Sequence, residues 1–445
     1  MTMHQSTWSS RIGFILASAG AAIGLGAIWK FPYLVGSNGG SAFLFPFLIL
    51  TFTVGLVLLI AELAIGRLGG NSIVSAFRKL GGPIWSKAGY LGVVTGFLVL
   101  SFYSAIGGWT ISYFINALLG NGLVADQSLL GEQFAQLCSS PIKAVGFQGL
   151  FLALTAYVVW RGVNSGIERL SKVLMPLLLI MMLIIIVRCL FLPGALDGVA
   201  YLFSFSADAF NMDSLFSAMG FTFFSLCLGS GCMLTYGCYL DNKVDIIGSS
   251  IWITFLTVLT SLMGALMIMP AVFAFGLDPA AGPALTYITM PAIFAQLPFG
   301  HIFCIMFYAC ILVAALTSAV SMLEIDVAFF QAEYAWSRKK AVIVTAIGLQ
   351  LVGALSALSF GPLADYKLAG RNFFDWIDYL TSNISLPIGG LMVAILCGWV
   401  AWKPLREKLC PPQTKVYPPM VFKLLRFAIA ALAPAFVSII FITSL

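Results

Sequence analysis

Two glycine clusters carry the clearest chemical consequence in this sequence. Gly20, Gly24 and Gly26 interrupt the apolar run RIGFILASAGAAIGLGAIWKFPYLVGSNGG, and Gly229 and Gly231 follow Ser225 in FTFFSLCLGSGCMLTYGCYLDNK. Each run is apolar enough to cross a bilayer, where an unpaired N–H or C=O costs several kcal/mol. Irregular backbone at that depth survives only beside a polar cavity, an ion or a ligand, so each break marks a place where main-chain groups can hold charge. The alternative is close helix packing, for which Gly20 and Gly24 have the small-xxx-small spacing. Glu62, Glu324 and Asp326 also stand within or near apolar runs, where an ionisable group is a functional candidate, as a backbone clamp, a helix cap or a proton relay.

The chain that positions these groups is a membrane chain. Its residues are 60% hydrophobic and 9% charged, with mean hydropathy +1.01, which excludes an ordinary soluble domain. Eleven apolar runs are each long enough, at about 1.5 Å rise per residue, to cross a core of about 30 Å. The predicted spans are 11–36, 42–68, 88–119, 144–161, 166–191, 213–239, 244–276, 300–333, 340–360, 372–401 and 421–443. The interrupted runs are the first and the sixth. Breaks five helices apart predict two inverted five-helix repeats, 11–191 and 213–401, with a site at mid-membrane and an extra helix at 421–443, all in one polytopic domain, 1–445. That rule was framed on transporters of the kind named below, so it is not independent of the resemblance.

The formal charge of +6 reads as topology rather than as a nucleic-acid surface. Arg11, Arg67, Arg78, Lys79, Lys87, Arg161, Arg169, Lys172, Arg338, Lys339, Lys340, Lys403, Arg406, Lys408, Lys415, Lys423 and Arg426 fall on one side of the alternating spans. The opposite loops hold Lys143, Lys367 and Arg371. The N-terminus is therefore expected in the cytoplasm and the C-terminus outside, with no cleavable signal peptide. The nine cysteines are scattered without metal-ligand spacing, so neither zinc nor a structural disulfide is expected. No HExxH motif occurs and the two histidines are His4 and His301, so an enzyme is not expected.

Trp8, Arg11-Ile12-Gly13-Phe14, Gly24-Leu25-Gly26, Phe31-Pro32, Asn38-Gly39-Gly40, Glu62, Gly66-Arg67, Phe102-Tyr103, Trp109, Thr235-Tyr236, Leu316-Thr317-Ser318 and Ser337-Arg338-Lys339-Lys340 stand in a telling order and spacing. In these motifs nearly the whole chain resembles the neurotransmitter:sodium symporter family, in particular its bacterial amino-acid transporters of the LeuT type. Eleven helices suit a bacterial member lacking the twelfth. The resemblance implies the all-α LeuT fold, unwinding of helices 1 and 6 at mid-membrane, and sodium-coupled amino-acid uptake through the cell membrane by alternating access.

A substrate carboxylate suits the amides of Leu25 and Gly26, at the N-terminal end of the second half of helix 1. The resemblance adds the Tyr103 hydroxyl there, and gives the substrate ammonium the carbonyls of Ala22, Phe224 and Ser225. Monoamine carriers of the family have an aspartate at the position of Gly24, so glycine here implies a substrate that brings its own carboxylate. By position, the side-chain pocket comprises Val99, Ile106, Phe224, Cys227, Ser230, Ser318 and Met322. Ser230 stands where a leucine-type site has phenylalanine, which points to large neutral amino acids.

For the driving ion, the resemblance implies one retained sodium site: the carbonyls of Gly20, Ile23 and Ala314 and the hydroxyls of Thr317 and Ser318. Five neutral oxygens suit a hard monovalent cation. The plainer reading of Thr317 and Ser318 is back-bonding to their own helix. The family's second sodium site needs two asparagines, and Ala27 and Thr257 stand in their places. Its chloride or substitute carboxylate would be held where this chain has Phe47, Phe221, Ser225 and Ser261. Loss of both together leaves no stranded charge, so one sodium per amino acid without chloride is expected. A sensor of the same fold, and coupling to protons or another cation through Lys30 or a carboxylate, stay open as alternatives.

The resemblance pairs Lys30 with Asp378 as an outer gate, with Asp375 as rival. The usual inner salt bridge falls at Gln5 and Ala332 and is lost, leaving Trp8, Tyr239 and Glu333 as substitutes. Gly166 and Pro176 bracket the start of helix 5, which can unwind or merely kink there.

Overall fold

In a computed structural model the described residues, 7–121, 123–205, 210–280, 285–409 and 417–444, form helices and their connections, with no strand among them. Ten helices are long and apolar enough to cross a membrane: helix 1 (Arg11–Ser37), 2 (Ser41–Gly69), 3 (Pro83–Leu118), 4 (Pro141–Trp160), 5 (Val163–Leu190), 7 (Ile246–Ala274), 8 (Gly300–Tyr334), 9 (Arg338–Leu358), 10 (Phe373–Val400) and 11 (Pro419–Thr443). Helix 6 is shorter than that because it is in two pieces, Met212–Ser225 and Cys232–Cys238. Each predicted span thus has its helix. Helix 3 departs most, starting at Pro83, a residue whose missing N–H suits a first turn.

Local chemistry sets the helix starts. Ser10, Asn211, Asp245, Ser337 and Asn372 each accept a hydrogen bond from an amide in the first turn that follows. Outer helices show one apolar face inward and another outward: in helix 5, Met175, Leu178, Met182 and Ile185 are buried while Val173, Leu177, Ile180 and Ile184 are exposed. Such exposed apolar faces are stable only against lipid or a partner. Helices 3 and 8 approach closely, a side chain at Gly96 meeting Ile325 at 2.9 Å. Broken helix 1 packs mainly on helices 8, 7 and 5, and broken helix 6 mainly on helix 2.

Candidate functional site

Helix 1 breaks at Gly24, where φ is 38° and ψ is −163°, a conformation that L side chains rarely adopt. The groups this break frees are taken up by two other helices. The Leu25 N–H donates to the Tyr103 hydroxyl at 3.0 Å, and the carbonyl four residues earlier, Ala21, accepts from the Cys227 thiol at 3.2 Å. A Cβ on Gly24 would lie 3.0 Å from Ser318 Oγ and 3.2 Å from the Tyr103 hydroxyl. Helices 1, 3 and 8 therefore meet at the break.

Helix 6 is interrupted between Ser225 and Cys232, with Cys227, Gly229 and Gly231 at φ of 52°, 78° and 81°. The Gly229 N–H donates to Glu62 Oε1 at 2.7 Å. Glu62 thus clamps the break of helix 6, the backbone-clamp role among those the sequence offered. A Cβ on Gly229 would lie 2.1 Å from the Leu386 carbonyl oxygen, so helix 10 lies directly on the unwound segment.

Between the two breaks lies a cavity of ≈ 30 Å³ lined by Ala22, Gly24, Leu25, Gly26, Val99, Tyr103, Phe223, Phe224, Cys227, Ser230, Ser318, Met322 and Leu386. Ile106 and Ser225, expected at the site, do not line it. Ile106 is buried in packing, and the Ser225 hydroxyl donates to Thr222 O at 3.2 Å. Two of the expected main-chain groups are used in tight turns: Gly26 N–H donates to Ile23 O, and Phe224 O accepts from Cys227 N–H at 3.1 Å. Phe223 and Leu386 went unanticipated. Phe223, Phe224 and Leu386 also line a second pocket of ≈ 360 Å³ beside Lys30, so they form the partition between the two spaces.

Two of the candidate cation positions, Gly20 of helix 1 and Thr317 of helix 8, lie against each other. A Cβ on Gly20 would lie 3.2 Å from Thr317 Cβ and 3.1 Å from Met175 Sδ. The Thr317 hydroxyl donates to Val313 O at 3.0 Å and Ala314 O at 3.1 Å, which is the back-bonded arrangement. Ile23 O is turned into the break and accepts from Gly26. Among the described residues no three His, Cys, Asp or Glu side chains come together. The donor set is neutral oxygen, whose chemistry fits a monovalent rather than a divalent cation.

Phe31, Phe43, Phe47 and Phe221 fill the region expected to lack chloride, with Phe31–Phe47 and Phe47–Phe221 centroids 5.0 and 5.3 Å apart. On helix 7 the Thr257 and Ser261 hydroxyls donate to Ile253 O at 2.9 Å and Thr257 O at 3.0 Å.

At one end the bundle is sealed. Trp8 Nε1 donates to Tyr236 O at 3.1 Å and Trp8 N–H to Tyr239 O at 3.2 Å. Buried Glu168, at the start of helix 5, accepts from Ser9 N–H (2.8 Å), Ser9 Oγ (2.6 Å) and Ser10 Oγ (3.0 Å) and pairs with Lys172 (2.7 Å). Glu324 does not cap helix 8; it accepts from Tyr239 at 2.7 Å and pairs with Arg338 at 2.5 Å. Glu333 pairs with Arg78 at 2.7 Å on the surface. Gln5 lies outside the described residues. Gly166 sits in a wound, wide-turn segment, Val163–Glu168, whose Gly166 would bring a Cβ to 2.1 Å from Val158 O, and Pro176 lies within the helix that follows. Helix 5 is therefore not unwound here.

At the other end the expected Lys30–Asp378 bridge is not made. Lys30 Nζ sits 4.5 Å from the centroid of the Phe224 ring, and Asp378 Oδ1 accepts from Ser382 at 2.8 Å. A lysine's point charge can rest on an aromatic face instead of a carboxylate. Asp326 is buried with Oδ2 unpartnered, and it does not line the cavity.

An all-helical bundle with two helices broken at facing points, around a small main-chain-lined cavity, is the LeuT-type transporter fold. The chain belongs to the sodium:neurotransmitter symporter family, whose model matches residues 5–124 and 139–445. It is 41% identical over 389 residues to the sodium-dependent transporter YhdH of Bacillus subtilis, covering 87% of this chain and 86% of that protein. It is 32% identical over 418 residues to the sodium-dependent transporter MJ1319 of Methanocaldococcus jannaschii, covering 89% and 82%. The crystal structure of MhsT in complex with L-phenylalanine matches with a TM-score of 0.90 and 37% identity over 99% of this chain and 100% of that one. The protein is a multi-pass, sodium-dependent membrane transporter and not an enzyme.

Proposed function

We propose that the protein carries neutral amino acids with large hydrophobic side chains into the cell, one sodium ion per substrate and without chloride. The observation that carries this reading is the Tyr103–Leu25 contact across the break of helix 1, beside Ser318. A substrate carboxylate would take the Leu25 and Gly26 amides and the Tyr103 hydroxyl, its ammonium the carbonyls of Ala22 and Phe224. Its side chain would face Val99, Cys227, Ser230 and Met322. At ≈ 30 Å³ the cavity has room for two or three waters at about 10–15 Å³ each, so an amino acid enters by displacing the Phe223–Phe224–Leu386 partition toward Lys30. Solved MhsT, with its phenylalanine, supports the size of the side chain.

The co-transported sodium ion would sit between Gly20 and the Ala314–Thr317–Ser318 stretch, for which Thr317 turns its hydroxyl away from its own helix. The phenylalanine cluster supports the absence of chloride coupling. The end sealed by Trp8 and Glu168 is the cytoplasmic one by its excess of basic residues, and residues 11–191 and 213–401 are the two halves that move about the site. The test is uptake of labelled L-phenylalanine by proteoliposomes under an imposed sodium gradient. Accumulation above equilibrium, a Hill coefficient of 1 for sodium and no loss on replacing chloride by gluconate are expected. Equilibration alone would identify a channel, and binding without flux a sensor.

A further inference from the structure

Remote from the site, the outer end of helix 3, the helix Gln127–Ser139 and the start of helix 4 enclose a pocket of ≈ 300 Å³. Ser112, Asn116, Asn121, Gln133, Gln136 and Lys143 line it, and no Asp or Glu does. Among the described residues none of these six side chains has a hydrogen-bond or ion-pair partner within the protein. Ser112 is buried and the other five are exposed, so the pocket opens to solvent with one cation and no anion in its lining, a polar surface whose chemistry suits an oxyanion that carries hydroxyls. At its inner end the pocket continues to Tyr113, whose buried hydroxyl has no partner. Apolar residues next to the lining residues in sequence are open to the surroundings: Ile142, beside Lys143, is 87% exposed, and Leu118 and Leu119, between Asn116 and Asn121, are 52% and 69% exposed. Exposed aliphatics at helix ends beside a lysine mark the boundary of the hydrocarbon layer.

We propose that this pocket holds the headgroup of an anionic, hydroxylated glycerophospholipid. The phosphate lies on Lys143, the headgroup hydroxyls on the carboxamides of Asn116, Gln133 and Gln136, and the acyl chains run down past Ile142 and Leu118. The lipid would tie the helix Gln127–Ser139 to helices 3 and 4. Beneath it, the Tyr113 ring meets those of Tyr287 and Tyr308 at a tilt, with centroids 5.1 and 5.2 Å apart, and Tyr287 bonds Thr110 at 2.9 Å. An occupied pocket therefore braces the outer end of the helix that carries Tyr103.

The experiment is native mass spectrometry of the full-length protein titrated with phosphatidylglycerol or phosphatidylethanolamine, with soluble glycerol 1-phosphate as competitor. Wild type is expected to retain one phosphatidylglycerol in preference to phosphatidylethanolamine. Lys143→Ala should bind it about fivefold more weakly, Lys143→Arg should bind as wild type, and Lys367→Ala, exposed on a different loop, should be unchanged. Melting temperature confirms that each variant is folded. Equal retention by Lys143→Ala and wild type, or equal loss with Lys367→Ala, overturns the proposal. Binding of glycerol 1-phosphate without preference among lipids overturns the lipid occupant and assigns the pocket to a free phosphate.

Discussion

Glu168 offers the sharpest perturbation, because one buried carboxylate holds the segment before helix 1 to the start of helix 5. Three donors from Ser9 and Ser10 converge on it at 2.6 to 3.0 Å. A hydrogen bond to a charged acceptor contributes about 1.5–3 kcal/mol and a neutral one about 0.5–1.5 kcal/mol, so Glu168→Gln weakens each by about 1 kcal/mol. Lys172 is 39% exposed, so its ion pair adds little once solvent screens it. The glutamine also turns an N–H₂ toward donors at one of its two positions. A loss of about 2–3 kcal/mol in the closed arrangement corresponds to about 30- to 150-fold in the opening equilibrium, at 1.4 kcal/mol per tenfold. Amide hydrogen exchange in sodium-free buffer reads this directly, since exchange through opening scales with that equilibrium. The amides of residues 9–16 and 163–171 should exchange at least tenfold faster, while those of helix 9 stay unchanged. Acceleration below threefold in both segments, in a variant of wild-type melting temperature, would refute the latch.

Other substitutions test the site itself. Gly24→Ala places a Cβ against Ser318 and Tyr103 on a backbone with φ of 38°, a strain of about 1–2 kcal/mol before any clash, so binding measured by scintillation proximity should fall at least tenfold. Tyr103→Phe leaves the buried Leu25 amide without its partner at a cost of about 1–3 kcal/mol; an unchanged L-phenylalanine affinity would remove Tyr103 from the site. Thr317→Val keeps the packing volume but deletes an oxygen, so the sodium concentration for half-maximal uptake should rise several-fold without change in the melting temperature. Ser230→Met fills space beside Met322, and competition assays should show preference moving from aromatic toward smaller aliphatic amino acids.

Sequence by itself determined the membrane class, all eleven spans and the two broken helices. Hydropathy and glycine spacing are local properties, and a bilayer leaves a spanning segment few alternatives to a continuous helix. Gly24 and Gly229 were legible because the backbone at a break needs a residue without a side chain. The partners that close the molecule were not legible. Glu168 reaches Ser9 across 159 positions, Leu386 enters the cavity wall because helix 10 rests on Gly229, and Lys30 rests on Phe224 rather than on Asp378. Ile106 and Ser225 do not line the cavity although their sequence positions suggested the site. These outcomes depend on how rigid helices cross, and a crossing is settled by the sum of many weak side-chain contacts between distant segments. No local window of sequence contains that sum, so only the packed structure decides which side chains meet.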